Sequence, residues 1–318
     1  MIGIAEIASY IPADRESNLD KLDKFGINLA FIDDKIGVHE VSRRAPGEGT
    51  TELCLAAYAK LRAKHDFDPA SVDCIAVCTQ NPDGHGLPHV SAVLHGRLGL
   101  GRRCASFDIG LGCSGFVYSL SIVKAFMEAH GFRRGLLFTA DPYSKIVDPD
   151  DKNTALLFGD GATASLLEHA DAAHPILVPV RFEVDTNGAL SNALCIVDGK
   201  LRMNGRRVFE YSATAVPESV RSLMAAANLS VGDIDAFLFH QGSKYIVDAL
   251  IKRLDLPPEK VPNNLRDQGN TVSSTIPLLL EPMVHDPRVR RVLACGFGVG
   301  LSTATCVLER LPASGPRT

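Results

Sequence analysis

The chain has 318 residues, 46% of them hydrophobic and 22% charged, with a formal net charge of −4. That length is enough for a large core or two related ones, and the mild negative charge argues against general nucleic-acid binding. The N-terminus lacks a basic region and carries Glu6, and no apolar run nears the ~20 residues of a membrane span, so neither a signal peptide nor a membrane segment is expected. The eight cysteines are scattered, form no CxxC pair and have no zinc-type partners nearby. Free thiols in a reducing cytoplasm, with no metal site, are the expectation.

Residues 2–9 alternate and predict a strand, and residues 18–33 are polar and partly helical. Residues 50–64 predict a helix, with Thr50 or Thr51 as its cap and Leu53, Ala57 and Leu61 on one face. A buried strand over 72–79, a Gly/Pro loop over 81–88 and a helix over 90–98 follow. Ser106-Phe-Asp-Ile-Gly-Leu-Gly-Cys113-Ser-Gly-Phe116 then reads as strand, glycine-rich turn and helix, with Phe116, Leu120, Val123 and Met127 at helical spacing. Residues 135–140 form another buried strand, 141–153 a charged excursion, and 154–168 a glycine-punctuated, β-like stretch. Within it Gly159-Asp160-Gly161 reads as a tight turn, since one carboxylate cannot hold a cation.

The second half repeats this order. Asp73-Cys-Ile-Ala-Val-Cys-Thr-Gln80 resembles Asp235-Ala-Phe-Leu-Phe-His-Gln241, 162 residues on. Arg133-Arg134-Gly-Leu-Leu-Phe-Thr-Ala140 resembles Arg290-Arg291-Val-Leu-Ala-Cys-Gly296, and Gly161-Ala-Thr-Ala-Ser-Leu-Leu-Glu168 resembles Ser302-Thr-Ala-Thr-Cys-Val-Leu-Glu309. Three loose matches in one order imply an internal duplication, an α/β chain of two halves, 1–170 and 171–318. In this register the Cys113 turn corresponds to residues 267–274, and a pseudo-twofold axis would bring the two helix starts face to face.

Three polar groups stand where those starts would converge. Cys113 lies at a helix N-terminus, where unpaired N–H groups and the dipole favour thiolate, so its pKa is expected below the free value of about 8.5. Gly112, Ser114 and Gly115 leave room for a substrate. His240 ends the apolar strand 236–239, and Asn270 opens the segment leading to the apolar run 276–280. Each has an ordinary alternative: an inert buried thiol, a hydrogen-bonded interior histidine, a helix cap.

Together with their neighbours they resemble a known family. Asp108-Ile-Gly-Leu-Gly-Cys113-Ser-Gly-Phe, Phe239-His240-Gln241-Gly242, Gly269-Asn270-Thr-Val-Ser-Ser-Thr-Ile-Pro277 and Gly296-Phe-Gly-Val-Gly300-Leu-Ser resemble the β-ketoacyl-acyl-carrier-protein synthase III family of the thiolase superfamily, as do Phe158-Gly-Asp-Gly-Ala162 and Met203-Asn-Gly-Arg-Arg-Val-Phe209. The likeness runs from about residue 2 to about residue 308. It implies a duplicated five-layer αβαβα fold, a homodimer and no cofactor. It also implies an acyltransferase in which Cys113 takes an acyl group from acyl-CoA, followed by decarboxylative condensation with malonyl on acyl-carrier protein. His240 and Asn270 are then the two N–H donors that stabilise the enolate oxygen. The backbone of Cys113, Val299 and Gly300 supplies the oxyanion hole of the acyl transfer.

The resemblance also places Phe31, Lys35, Lys152, Phe209, Gln241 and Lys244 at the CoA or carrier-protein site. Phe31 and Lys152 stand where many members clamp the adenine between Trp and Arg, and lysine does not stack as a planar guanidinium does. Val299 replaces a glycine and resists positive φ. Gly242-Ser243 replaces the family's Ala-Asn after His-Gln. Leu87 stands where members that prime with acetyl groups often carry Phe, on a loop that caps the partner's acyl pocket. A cluster of Lys200, Arg202, Arg206 and Arg207 is either a solvated face or a dock for an acidic carrier protein. Two other functions remain open on sequence grounds: passage of the Cys113 acyl group to an alcohol or amine, and a non-catalytic partner subunit.

Overall fold

A computed structural model describes residues 1–170 and 176–311. The first half runs β1 (Ile2–Tyr10), α1 (Thr50–Lys64), β2 (Cys74–Cys78), α2 (Val90–Arg97), β3 (Ala105–Ile109), α3 (Gly115–His130), β4 (Arg134–Ala140) and β5 (Ala162–His169). The second runs β6 (Leu177–Thr186), α4 (Gly205–Ala226), β7 (Ala236–Phe239), α5 (Lys244–Leu254), α6 (Thr275–Leu280), β8 (Arg291–Gly298) and β9 (Ser302–Arg310). Two short hairpins, Asp14–Ser17 with Glu40–Arg43 and Leu194–Val197 with Lys200–Met203, hang from this frame.

The strands follow the order β3-β2-β4-β5-β1-β6-β9-β8-β7. The halves are joined through one pair, Ile4 opposite Leu177. Outward from that seam both obey one scheme. β1 and β6 pair antiparallel with β5 and β9, which pair antiparallel with β4 and β8, which pair parallel with β2 and β7. The first half alone adds a further parallel strand, β3, among the described residues.

The repeated residues make repeated bonds. Asp73 accepts the N–H groups of Arg133 and Arg134 at 2.7 and 3.0 Å, and Asp235 accepts those of Arg290 and Arg291 at 2.7 and 2.8 Å. Arg134 reaches Glu168 as Arg291 reaches Glu309. The expected boundary after residue 170 falls at residues 171–175, outside the described residues.

Strand alternation builds the layers. On β2, Cys74 and Ala76 join a core with α3 and α6, while Ile75 and Val77 join another with α1 and α2. On β8, Val292 and Ala294 enter that same central core, while Leu293 and Cys295 pack with α4 and α5. Both halves of the sheet are therefore covered on both faces, and α3 lies between them. Its Phe116, Val117, Leu120, Val123 and Met127 are fully buried, each worth about 1.5–3 kcal/mol of transfer free energy. The result is the five-layer αβαβα stack.

Two local expectations change. The cap of α1 comes from outside the helix: the Asp83 carboxylate accepts the N–H groups of Thr50 and Thr51 at 3.0 and 2.8 Å, and Glu52 accepts that of Gly49 at 3.0 Å. The stretch 154–168 is only half strand. It begins as the tail of a short helix, Lys152–Ala155, and β5 starts at Ala162 after a turn fixed by Asp160, which accepts the N–H groups of Arg44 and Ser144.

Candidate active site

Cys113 sits in the turn between β3 and α3 and is 3% exposed. Burial pushes the thiol up to about 12, against the lowering influence of the Val299 and Cys113 backbone N–H groups, and the Asp141 charge adds to the rise. The direction is opposite to the expected one. The helix-start amides are present, but desolvation of a fully enclosed sulfur outweighs them. The resting group is a neutral thiol.

Gly298 is the residue packed against it. A Cβ built on Gly298 would lie 2.6 Å from Cys113 Cβ and 2.8 Å from Sγ, and the backbone there has φ of 149°. Gly298→Ala should therefore slow acylation of Cys113 by on the order of a hundredfold, read by intact mass against time, because a shift of about 1 Å in a reacting atom costs that much. Positive φ falls on Gly298 and on Gly300, at 139°, and not on Val299 between them. Valine is thus accommodated. Neither Val299 nor Gly300, both expected in the oxyanion hole, lines the Cys113 cavity; Gly298 does.

His240 follows the last residue of β7 and is 2% exposed. Its Nδ1 lies 2.8 Å from the Thr275 hydroxyl, which itself donates to the Val272 carbonyl at 3.0 Å. The Thr275 oxygen must then accept from Nδ1–H, which makes Nε2 an acceptor, and the Asn270 Nδ2–H is its donor. Burial holds the ring down to about 3, so it is neutral. Asn270 Nδ2 stands 3.4 Å from Nε2, and Asn270 Oδ1 accepts the Val272 N–H at 2.8 Å. Val272 thus serves both residues, and it does so at φ of 55° while fully buried. A β-branched residue held there stores on the order of 1–3 kcal/mol of strain.

Cys113, His240 and Asn270 line the buried end of one cavity of about 900 Å³, its open mouth included, with apolar walls that include Leu157, Phe158, Leu194, Val208 and Phe297. The sequence matches the family described as 3-Oxoacyl-[acyl-carrier-protein (ACP)] synthase III over residues 107–188, and that family's C-terminal region over residues 224–310. It is 38% identical to β-ketoacyl-[acyl-carrier-protein] synthase III 2 of Streptomyces coelicolor, covering 86% of this chain and 83% of that one. It is 30% identical to β-ketoacyl-[acyl-carrier-protein] synthase III of Lactococcus lactis, over 96% and 98%. A crystal structure of a 3-oxoacyl-(acyl-carrier-protein) synthase III superposes with a TM-score of 0.89 at 33% identity, over 97% and 99%.

The chain belongs to the 3-oxoacyl-acyl-carrier-protein synthase III family. It is an acyltransferase of the condensing type.

For a synthase III the mouth of this cavity is the place to look for the clamp expected from sequence. Phe31, Lys35, Lys152 and Phe209 all line it. Lys152 Nζ stands 5.4 Å from the centre of the Phe31 ring, so the pair comes together as a cation over an aromatic face. Tyr245, which sequence reasoning missed, completes a second pair: its ring lies 4.1 Å from Lys35 Nζ and 4.9 Å from Phe209. The available signal was an exposed aromatic in the first turn of the helix that follows His240.

Three other residues lie elsewhere. Gln241 is fully buried and donates from Nε2 to the Phe239 carbonyl at 2.8 Å, because the chain leaving β7 turns it inward, so it does not reach the CoA site. Lys244 does not line the cavity, and its ammonium pairs with Asp248 one turn along α5. Leu87 is absent from its own chain's cavity and is 87% exposed. Of the basic cluster, Arg202 pairs with Asp148 and Arg206 with Glu210, both on the surface.

Proposed function

We propose that this synthase III loads an acyl group from acyl-CoA onto Cys113 and condenses it with malonyl on acyl-carrier protein, releasing CO2 and a 3-oxoacyl product. The observation that carries the reading is the convergence of Cys113, His240 and Asn270 at the buried end of a cavity whose mouth holds two cation–aromatic pairs.

In loading, the thiol proton passes from Sγ to the unprotonated Nε2 of His240, displacing the Asn270 N–H from it, as sulfur attacks the thioester carbonyl. The carbonyl oxygen takes the negative charge, and the backbone N–H groups of Cys113 and Val299 are assigned as its donors. The intermediate collapses with loss of the CoA thiolate, which takes the proton back from His240. In condensation, loss of CO2 from the malonyl group leaves an enolate whose charge sits on the thioester oxygen. Asn270 Nδ2 donates to that oxygen. His240 donates as well once its proton stands on Nε2, with the Thr275 hydroxyl turned to donate to Nδ1. The enolate carbon attacks the acyl-cysteine, and the Cys113 thiolate leaves and is reprotonated. Release of CO2 from malonyl-carrier protein, with mass-detected turnover of acyl-Cys113, tests this reading. Transfer to an amine or alcohol without CO2 would replace it.

The enzyme is proposed to act as a cytoplasmic homodimer, its eight free cysteines fitting a reducing compartment. Two features support the dimer. β3 ends the sheet with its outer edge unpaired among the described residues, and the Leu87 side chain stands in solvent beyond its own cavity. In the dimer Leu87 would cap the partner's acyl pocket. Leucine leaves more depth than phenylalanine, and each further buried CH2 contributes about 0.8 kcal/mol. Octanoyl-CoA should therefore outcompete acetyl-CoA for Cys113, and Leu87→Phe should reverse the order, read by mass after mixed incubation. Preferential acetyl loading of the unmodified enzyme would refute this role for Leu87.

A further inference from the structure

Asp141, the first residue after β4, is fully buried, and no step above uses it. Its Oδ1 accepts the Gln80 N–H at 2.7 Å. Its Oδ2 accepts the Ser273 N–H at 3.4 Å and the Ser273 hydroxyl. Among the described residues no Lys, Arg or His side chain pairs with it. A buried carboxylate without a cation is costly, and such groups persist where they are used.

Its two partners belong to different halves. Gln80 follows β2, and Ser273 lies in the turn Val272–Ser274 that links Asn270 to α6. That turn holds the strained Val272, whose N–H fixes Asn270 and whose carbonyl fixes Thr275, and Thr275 in turn orients His240.

We propose that Asp141 is a positioning residue: its carboxylate clamps the turn carrying Asn270 and Thr275 to the Gln80 backbone, and the alignment of Asn270 and His240 with Cys113 depends on that clamp. This rests on those three residues being the condensing site. Asp141 touches neither substrate nor reacting atom and acts through the turn.

The clamp has an electrostatic signature. The titratable groups that feel the Asp141 charge are Cys54 on α1, Cys78 on β2, Cys113 before α3, and Tyr143, each of them raised by burial first and by Asp141 in addition. Burial holds Asp141 itself up to about 6, against the bonds from Gln80 and Ser273. His240 is held down to about 3. Of these groups only Asp141 titrates near pH 6. Its raised value means that the folded state loses stability as pH rises from the ordinary carboxylate range through about 6, where the unfolded chain has already ionised.

The test is Asp141→Asn in the full chain, with acyl loading, condensation of preloaded enzyme, and site-resolved iodoacetamide alkylation of Cys113 measured separately. Four results are expected. Condensation falls on the order of tenfold to a hundredfold, and loading falls less. The wild-type loss of condensation below about pH 6 is absent from the variant's profile. Cys113 alkylates faster at pH 8, because a charge opposing the thiolate is gone. The thermal midpoint at pH 7 is no lower than wild type. Ser273→Ala, which keeps the charge and weakens the clamp, should reproduce the condensation loss without the faster alkylation. Unchanged condensation in Asp141→Asn, or a lowered thermal midpoint with equal losses in both half-reactions and unmoved alkylation, would overturn the proposal. Failure of the underlying site assignment would show instead in the wild type, as acyl adducts on a residue other than Cys113.

Discussion

Cys113→Ala should abolish acyl loading, with no mass shift after incubation with any acyl-CoA at a concentration that saturates the wild type. Among the described residues Cys113 is the only cysteine lining the cavity. Cys54, Cys74, Cys78, Cys295 and Cys306 are fully buried, and burial raises each of their thiols above the ordinary value. None has an approach for a thioester. Cys104 and Cys195 are partly exposed, yet neither lies in the cavity. The resting thiol near 12 also bears on how loading runs. At pH 7 the preformed thiolate is a minute fraction, so in the proposed mechanism attack is coupled to removal of the proton, and the unprotonated Nε2 of neutral His240, in the same cavity, is the proposed acceptor. Normal adduct formation on Cys113→Ala would move the nucleophile elsewhere and end this mechanism.

How much of this was legible in the sequence follows from the range of each interaction. The duplication could be read because Asp73 and Asp235 bond the backbone of Arg-Arg pairs that recur with them, so the same local need leaves the same letters twice. The strands could be read because β2, β4, β7 and β8 are covered on both faces and show as apolar runs. The Cys113 thiol could not. A sequence shows a helix start but not the walls around it, and the burial that reverses the shift comes from residues such as Phe158, Leu301 and Val299, far off in the chain. The inward turn of Gln241 escaped for a similar reason: a polar residue beside a histidine looks available until the backbone shows which way it points. Tyr245 was missed because its value lies in its partners, Lys35 and Phe209, each on another element. The tautomer of His240 needed the Thr275–Val272 bond, a three-dimensional fact with no motif of its own.

That tautomer separates the two remaining members of the site. Asn270→Ala should lower condensation by about 10²–10³ while leaving acyl loading within a few-fold of wild type, since the loss of one preorganised oxyanion donor typically costs that factor. Its amide is held by the Val272 N–H on one side, which directs Nδ2 toward His240 Nε2 and the cavity. In the proposed mechanism loading does not call on it, because the oxyanion of that step is assigned to the Cys113 and Val299 amides. His240→Ala should differ in kind. It removes the acceptor that a thiol near 12 requires as well as the second enolate donor, so both half-reactions should fall, condensation by a comparable factor and loading most steeply at low pH, where thiolate is scarcest. Raising the pH toward 9 should recover part of the His240→Ala loading rate and none of the Asn270→Ala condensation rate, because hydroxide can replace a lost proton acceptor but not a lost donor. Single-turnover measurement of both steps at pH 6.5 and 9 decides it. Equal losses in the two variants at every pH would mean that His240 acts only as a donor and that loading draws its base from elsewhere.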